Sequence, residues 1–171
     1  MSDANALDAA ALAPYLEKHV AGFHGLKEIE KFNAGQSNPT YLVVAESGRY
    51  VLRAKPSGQL LRSAHQVDRE YRVMAALKDS AVPVPPVLHL SGEESPIGRM
   101  FYVMAHVEGR IFWDPALPEV ASTQERGAIY DAMNKVLAAL HDVDVEAVGL
   151  GDFGKPAGYL YNQLLNFRDG R

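Results

Sequence analysis

Residues 41–54 read YLVVAESGRYVLRA, and this stretch decides the fold. Tyr41 to Ala45 and Tyr50 to Ala54 are apolar runs rich in β-branched residues, and the polar segment Glu46-Ser47-Gly48-Arg49 separates them. Two such runs joined by a short segment with glycine are typical of a β-hairpin. Lys27 to Phe32 alternates apolar and charged residues, which predicts an edge strand before the hairpin. The first third of the chain is therefore expected to form an antiparallel meander.

The pattern after the hairpin changes to a helical period. From Ser63 onward apolar residues recur at helical spacing, namely Val67, Tyr71, Met74 and Leu77. Val82-Pro83-Val84-Pro85-Pro86 must be extended, because each proline fixes φ and disfavours the α region in the residue before it. Val87 to Leu90 and Met100 to Met104 are two further strand candidates. We therefore expect three strands, one helix and two more strands.

Helices are expected on both sides of this region. Asp8 to Val20 predicts a short helix, with Pro14 either near the start of a helical segment or breaking it. Ser122 or Thr123 can N-cap a long helix that runs to about His141. Its buried face is expected to consist of Ile129, Met133, Val136, Leu137 and Leu140. A final short helix is expected near residues 159–167.

Composition and charge exclude several classes of protein. The chain has 171 residues, 47% of them hydrophobic, and no Cys; this is typical of a globular domain and excludes disulfide frameworks and a cysteine nucleophile. A net charge of −4 predicts no nucleic-acid partner and no anionic membrane partner. No apolar run reaches the roughly 20 residues of a membrane helix. Residues 1–5 carry no basic segment, so we expect a cytoplasmic protein without a secretory signal.

A basic island lies within this acidic chain. Between Arg49 and Asp79 there are seven Lys/Arg against three Asp/Glu. Such an island fits a small anionic ligand, and it fits a solvated helix face equally well. The six histidines show no metal-ligand spacing and no cysteine supplements them. Asp152-Phe153-Gly154 matches a metal-binding kinase triplet, but no catalytic loop precedes it, so we interpret it as a coincidence of a Gly-rich loop.

Three segments could form a ligand site. In Gly35-Gln36-Ser37-Asn38, small residues let backbone N–H groups approach a phosphate, although such a loop is most often only a turn. Arg53 on the third strand could hold anionic oxygens while Glu70 on the next helix fixes its rotamer; a surface ion pair is the alternative. Residues 101–109, an apolar strand that ends at a glycine, could offer main-chain groups to a planar heterocycle, or simply form a buried strand and a turn.

The order of these motifs resembles the N-terminal half of the aminoglycoside phosphotransferase, or choline-kinase-like, family, whose members are relatives of protein kinases. The resemblance rests on Gly35 to Tyr41, Tyr50 to Arg53, Asp68 to Tyr71, Val82 to Pro85, Tyr102 to Met104 and Leu140-His141. More narrowly, the chain is similar to the branch associated with acyl-CoA dehydrogenases. The strings that match this branch are Arg53 to Pro56, Ser63 to Tyr71 and Gly109 to Pro115.

The resemblance implies an ATP site and a role for each motif. Gly35, Gln36, Ser37 and Asn38 would cover the ATP phosphates. Arg53 would stand where kinases have the phosphate-orienting Lys, with Glu70 as its helix partner. Met104 would be a pocket wall, and Ala105, His106 and Val107 would be the hinge whose backbone meets adenine. ATP and Mg²⁺ are the implied cofactors, and the partners are the nucleotide and an unidentified small-molecule acceptor.

The resemblance also implies an α+β fold: a kinase-like N-lobe over residues 1–104, a hinge and linker over 105–118, and the start of a helical C-lobe over 119–171. The catalytic Asp and the metal-binding Asn and Asp of this family lie in an H-G-D loop and beyond it, and no His-Gly-Asp occurs in this sequence. We therefore expect the ATP-binding portion of a small-molecule kinase that is inactive alone, with no catalytic residue and no metal ligand. The alternatives are a non-catalytic module whose exposed helix stripe drives homodimerisation, and an accessory domain linked to acyl-CoA metabolism.

Overall fold

The computed structural model describes residues 7–32, 38–58 and 66–154, which contain three helices and five strands. The helices are α1 (Ala9–His19), α2 (Val67–Leu77) and α3 (Thr123–His141). The strands are β1 (Leu26–Lys31), β2 (Thr40–Ala45), β3 (Gly48–Ala54), β4 (Val87–Leu90) and β5 (Phe101–Ala105). The five predicted strands and these three helices are confirmed. The helix expected near residues 159–167 lies outside the described residues.

The five strands form one antiparallel sheet with the order β1-β2-β3-β5-β4. The predicted meander and the edge position of β1 are therefore confirmed. Strand β5 lies between β3 and β4, and its register places Tyr102 opposite Arg53. Because side chains directly opposite each other in an antiparallel pair share a face, this register brings a tyrosine hydroxyl to the same side of the sheet as the arginine.

Helix α1 covers one face of the sheet. Leu12 and Leu16 of α1 are fully buried in one cluster with Val43, Leu52 and Phe101 from the three central strands. Strand residues that alternate in sequence point to the same face, so Leu52 faces α1 while Val51 and Arg53 face the other way. The core on this side therefore leaves the opposite face of β3 available for a ligand.

Pro14 lies inside α1 rather than at its start, and the helix continues past it. The Asp8 carboxylate caps the helix by accepting hydrogen bonds from the backbone N–H groups of Ala10 at 2.9 Å and Ala11 at 3.3 Å. Proline removes one backbone donor in the second turn. The burial of Leu12 and Leu16 on either side of Pro14 offsets that loss. The expectation that Pro14 lies near the start of a helical segment or breaks it is therefore wrong, because Pro14 is the sixth of the 11 residues of α1.

Helix α2 lies on the other side of the sheet, against β4 and β5. The rings of Tyr71 and Tyr102 meet edge to face with centroids 6.2 Å apart. Glu70 points from this helix toward β3 and β5, where it contacts Arg53 and Tyr102. Because α1 and α2 lie on opposite faces of the sheet, the Glu70 carboxylate of α2 lies over the middle of the sheet.

Helix α3 differs from its expected packing. Ser122 N-caps it by accepting a hydrogen bond from the Glu125 N–H at 3.2 Å, as expected, but none of its residues is buried. Met133 is 60% exposed and Leu137 is 50% exposed. No other helix or strand of the described residues packs broadly on α3. The expectation of a buried apolar stripe is therefore wrong for these residues, and the exposed stripe of the dimerisation alternative matches the structure.

Candidate functional site

An ion pair between β3 and α2 forms the centre of the candidate site. The Arg53 Nε donates to Glu70 Oε2 at 2.7 Å, and a second guanidinium nitrogen donates to Glu70 Oε1 at 3.4 Å. The remaining nitrogen donates to the Thr40 hydroxyl at 3.0 Å. The two charged side chains are 30% and 35% exposed. This geometry fixes the plane of the guanidinium, and it agrees with the pairing that the sequence suggested.

Glu70 accepts further hydrogen bonds that the sequence did not predict. The Asn38 amide donates to Oε1 at 2.8 Å, and the Tyr102 hydroxyl donates to Oε2 at 3.0 Å. Burial, followed by the charge of Glu70, raises the pKa of Tyr102 well above its ordinary value. Tyr102 therefore remains a proton donor to Glu70 at neutral pH. Three side chains from three segments, Asn38, Arg53 and Tyr102, thus donate hydrogen bonds to one carboxylate.

Two of these partners, Thr40 and Tyr102, could have been found from strand register. Both lie directly opposite Arg53, Thr40 on β2 and Tyr102 on β5. Cross-strand neighbours on one face are in contact distance, so a correct strand order would have named them. Local sequence pattern predicts five strands but does not show that β5 lies beside β3.

A cavity of 770 Å³, which we call the front cavity, lies beside this ion pair, because it is lined by Thr40, whose hydroxyl accepts from Arg53. Its walls include Val51 and Thr40 from the sheet and the segment from Met104 to Ile111 that follows β5. The volume falls within the roughly 300–1,000 Å³ of small-molecule pockets. Arg53 lies two residues beyond Val51 on the same face of β3, at about 7 Å along the strand. Arg53 lines the neighbouring cavity described below, so its guanidinium lies next to the front cavity rather than in its wall.

The predicted hinge, Ala105 to Val107, lines the front cavity. The Ala105 N–H donates to the Pro86 carbonyl at 2.8 Å, and the His106 N–H donates to the Arg49 carbonyl at 3.3 Å. Both of these donors are therefore used within the sheet. Val107 is 65% exposed, and within the described residues its N–H has no protein acceptor. Of the three hinge amides, that of Val107 is the one available to a ligand.

A second cavity of 500 Å³, the rear cavity, lies on the other side of Met104. Its walls include Arg53 and Glu70 together with Val73, Met74 and Phe153. Met104 lines both cavities. The side chain predicted as a pocket wall therefore separates the two cavities.

The remaining predicted site residues precede β2 in the sequence. Gly35, Gln36 and Ser37 lie outside the described residues. Asn38 is 5% exposed, and its amide donates to Glu70. Its visible contribution is therefore to hold Glu70. The predicted contact between Asn38 and phosphate remains a prediction.

The structure gives Asp152-Phe153-Gly154 a packing role that the sequence did not reveal. The Asp152 carboxylate forms an ion pair with Arg72 on α2, and the Phe153 ring lies 3.8 Å below the Arg69 guanidinium. In the described residues, no group of three or more His, Asp or Glu side chains is arranged to hold a metal ion.

None of the described helices is both long and apolar enough to span a bilayer.

A sequence profile of the phosphotransferase enzyme family matches residues 28–171. The chain belongs to the phosphotransferase enzyme family. The match includes β2, β3, α2 and the hinge, which are the elements that form the two cavities. The resemblance to this family, drawn from the order of the motifs, is confirmed.

Relatives of this phosphotransferase-family chain carry acyl-CoA dehydrogenase names. The Arabidopsis thaliana protein named "Probable acyl-CoA dehydrogenase IBR3" is 45% identical over 96% of this chain and 21% of its own length. Acyl-CoA dehydrogenase family member 10 of Mus musculus is 47% identical over 90% of this chain and 14% of its own length. Family member 11 of Homo sapiens is 44% identical over 92% of this chain and 20% of its own length. The predicted branch is confirmed.

A crystal structure of a "putative aminoglycoside phosphotransferase" from Ralstonia eutropha JMP134 has the same fold. It superimposes with a TM-score of 0.79 at 47% identity, covering 95% of this chain and 46% of that one. The expected α+β, kinase-like fold class is confirmed. The phosphotransferase-family chain therefore spans less than half of that protein and about a fifth or less of these three curated relatives.

Proposed function

We propose that the front cavity binds an adenine nucleotide, and that this chain is the ATP-binding portion of a small-molecule kinase. In the complete protein, a hydroxyl oxygen of the acceptor would bond to the γ-phosphorus of ATP as the bond to the β-phosphate oxygen breaks and ADP leaves. The observation that supports this proposal is the Arg53–Glu70 pair, in which the Arg53 guanidinium also donates to the Thr40 hydroxyl at the wall of the front cavity. Membership of the phosphotransferase family supports the reaction class.

The walls of the front cavity match the parts of a nucleotide. Val51 and Met104 provide apolar surface for a planar base, and the free Val107 N–H can donate to a ring nitrogen. Arg53, held by Glu70, would bind phosphate oxygens through guanidinium N–H groups. A guanidinium presents a fork of donors that suits phosphate. The role of this chain is thus to bind and orient the nucleotide.

Phosphotransferases of this family generally use Mg²⁺ together with ATP. The described residues do not fit a magnesium site, because they present no cluster of three ligand side chains. No step of the proposed reaction is therefore assigned to a metal held by these residues. The sequence contains no His-Gly-Asp loop, so we propose that this chain alone binds nucleotide weakly and does not turn it over.

Isothermal calorimetry with ATP tests the binding, with and without Mg²⁺. We expect a dissociation constant in the range of roughly 0.1–1 mM, weakened about tenfold or more in Arg53→Gln because one charge-assisted contact is lost. Lys78→Gln is the matched control, since Lys78 is an exposed cation at the end of α2. Absence of heat at millimolar nucleotide would contradict the proposal, and so would phosphate transfer by this chain alone.

A second candidate function is an accessory role in acyl-CoA metabolism. The names of the relatives from Arabidopsis thaliana, Mus musculus and Homo sapiens favour it. In this case the acceptor hydroxyl of the complete protein would belong to an intermediate of that metabolism rather than to an aminoglycoside. A full-length relative supplied with ATP and either a hydroxyacyl-CoA or an aminoglycoside distinguishes the two acceptor classes by the product that gains phosphate.

A further inference from the structure

Helix α2 is tied to a segment that lies about 80 residues further along the chain. Arg72 donates to both carboxylate oxygens of Asp152, at 3.3 Å to Oδ2 and by a shorter hydrogen bond to Oδ1. It also donates to the Gly149 carbonyl at 2.9 Å. The hydrogen bond with Arg72 holds the pKa of the Asp152 carboxyl below its usual range. One guanidinium therefore binds a side chain and a backbone carbonyl of the same segment.

A second arginine of α2 binds the same segment. The Arg69 guanidinium donates to the Phe153 carbonyl at 2.6 Å, and it lies 3.8 Å from the centroid of the Phe153 ring. A cation at this distance over an aromatic face is attracted by the ring quadrupole. Because Arg69 and Arg72 are three residues apart, they lie on one face of α2. Their contacts with residues 149–153 form what we call the clasp.

The clasp lies next to the ion pair of the candidate site. Glu70 immediately follows Arg69 in α2. Phe153 lines the rear cavity together with Arg53 and Glu70. A rotation or displacement of α2 that broke the contacts of Arg69 and Arg72 would also move the Glu70 carboxylate. The position of Glu70 is therefore coupled to residues 149–153 through a rigid helix.

Exposure of the clasp argues against a role in global stability alone. The Arg72 and Asp152 side chains are 44% and 76% exposed, and isolated pairs of this kind contribute little to folding. The clasp differs from an isolated pair because it combines a two-point carboxylate contact, two backbone carbonyls and a ring contact. Such a set of contacts fixes the orientation of α2 relative to residues 149–153 more than it adds to the free energy of unfolding.

We propose that Arg69 and Arg72 are positioning residues: by clasping residues 149–153 they hold α2 in the orientation that directs Glu70 to Arg53. This inference rests on the proposed nucleotide function of the Arg53–Glu70 pair. It assigns a role to a segment outside the sheet, since Asp152 and Phe153 then act through α2 and need not contact the nucleotide.

The test combines hydrogen–deuterium exchange of α2 in the nucleotide-free chain with calorimetric titration of ATP. The variants are Arg72→Gln, Phe153→Ala and the charge exchange Arg72→Asp with Asp152→Arg. Lys27→Gln is the matched control, because Lys27 pairs with Glu46 at 3.7 Å on the far edge of the sheet. We expect the two single variants to speed exchange in residues 67–77 by about fivefold or more and to weaken ATP binding by about three- to tenfold.

The charge exchange should return the exchange rate of α2 and the ATP affinity toward their wild-type values. Lys27→Gln should change neither of them. Unaltered exchange of α2 in Arg72→Gln and Phe153→Ala would overturn the clasp. Faster exchange with unaltered ATP affinity would overturn the positioning role. If the wild-type chain binds no ATP, the proposed function fails and so does the positioning of a nucleotide site, whereas the exchange data still decide whether residues 149–153 hold α2.

Discussion

Arg53 and Glu70 lie 17 residues apart in the chain and are joined by a 2.7 Å hydrogen bond between Nε and Oε2. Each oxygen of the Glu70 carboxylate also accepts from an uncharged side chain, Asn38 at Oε1 and Tyr102 at Oε2. The carboxylate is thus fixed before any ligand arrives. Because Arg53 is already held in place by this carboxylate, phosphate binding costs less conformational entropy than it would with a mobile cationic side chain.

Glu70→Ala is the first prediction. It removes the partner of Arg53 together with the acceptor of Asn38 and Tyr102, and we expect it to lower the free energy of unfolding by about 1–2 kcal/mol. It should also weaken nucleotide binding, because Arg53 would then sample several rotamers. Urea unfolding and calorimetry measure the two effects. Glu46→Gln, which alters an exposed ion pair, should change stability by less than about 0.5 kcal/mol. Equal effects of the two substitutions would contradict this account.

Much of the fold could be predicted from sequence because local patterns determine it. The hairpin of β2 and β3 follows from two β-branched runs around Glu46 to Arg49, and the N-cap of α3 at Ser122 follows from its residue type. The adjacency of β3 and β5 could not be obtained in the same way, because it depends on contacts between residues about 50 positions apart. Pro14 does not break α1, because the tertiary burial of its neighbours Leu12 and Leu16 outweighs the missing backbone donor.

The candidate site was predictable only in part for the same reason. Arg53 and Glu70 were identified from their places on a strand and a helix, whereas Tyr102 and Thr40 required the strand register. The clasp was not predictable from local pattern, because Asp152 and Arg72 are 80 residues apart. The triplet Asp152-Phe153-Gly154 resembled a metal motif, and only the tertiary structure shows its carboxylate paired with an arginine.

Tyr102→Phe is expected to have a pH-dependent effect. The pKa of Tyr102 is raised by burial and by the charge of Glu70, so the folded state retains a proton that the unfolded state loses above about pH 10. The stabilisation by the hydroxyl, about 1–2 kcal/mol, is therefore complete below pH 10 and is lost as the pH rises further, by up to about 1.4 kcal/mol per pH unit. Urea midpoints of wild type and Tyr102→Phe at several pH values between 8 and 11 measure this. A stability difference that stays constant above pH 10 would refute the prediction.

His89 is expected to make the protein less stable in mild acid. The Tyr15 hydroxyl and the His89 Nε2 are joined by a 3.0 Å hydrogen bond, and the His89 ring stacks on His19 at 5.1 Å between centroids. Burial, and then the charge of His19, lower the pKa of His89. The unfolded chain therefore takes up a proton first as the pH falls below about 6.5, and the stabilisation present above that pH is lost.

The measurement for His89 is the urea midpoint at pH 7 and at pH 5. In His89→Leu the decrease between the two pH values should be smaller than in wild type. Leu88→Gln is the matched control, since Leu88 is the preceding residue of β4 and does not titrate. An unchanged decrease in His89→Leu would show that other groups cause the acid sensitivity.

Met104→Ala should join the two cavities. Met104 lines both the front and the rear cavity, so its truncation leaves a passage toward Val73 and Phe153. We expect an ADP analogue with a benzyl group on the exocyclic adenine nitrogen to bind the variant more tightly than wild type, while ADP itself binds no better. Because the Met104 side chain is half-buried, we expect its truncation to lower the free energy of unfolding by about 1–2 kcal/mol. Competition calorimetry decides the matter, and identical preference for ADP over the analogue in both proteins would exclude the proposed placement of the base.

Met133→Glu tests whether the exposed stripe of α3 mediates self-association. Met133 and Leu137 are 60% and 50% exposed, so a charge at Met133 displaces little buried surface and should change the unfolding free energy by less than about 0.5 kcal/mol. Contiguous exposed apolar surface of this kind favours association with another such surface. We therefore expect the wild-type mass from light scattering to rise with protein concentration and the rise to be smaller in Met133→Glu. Asn134→Glu places the same charge on the adjacent polar position of α3 and should behave as wild type. A wild-type mass that stays monomeric at every concentration would exclude the homodimer. If Met133→Glu and Asn134→Glu reduced the rise in mass equally, net charge alone would control the association.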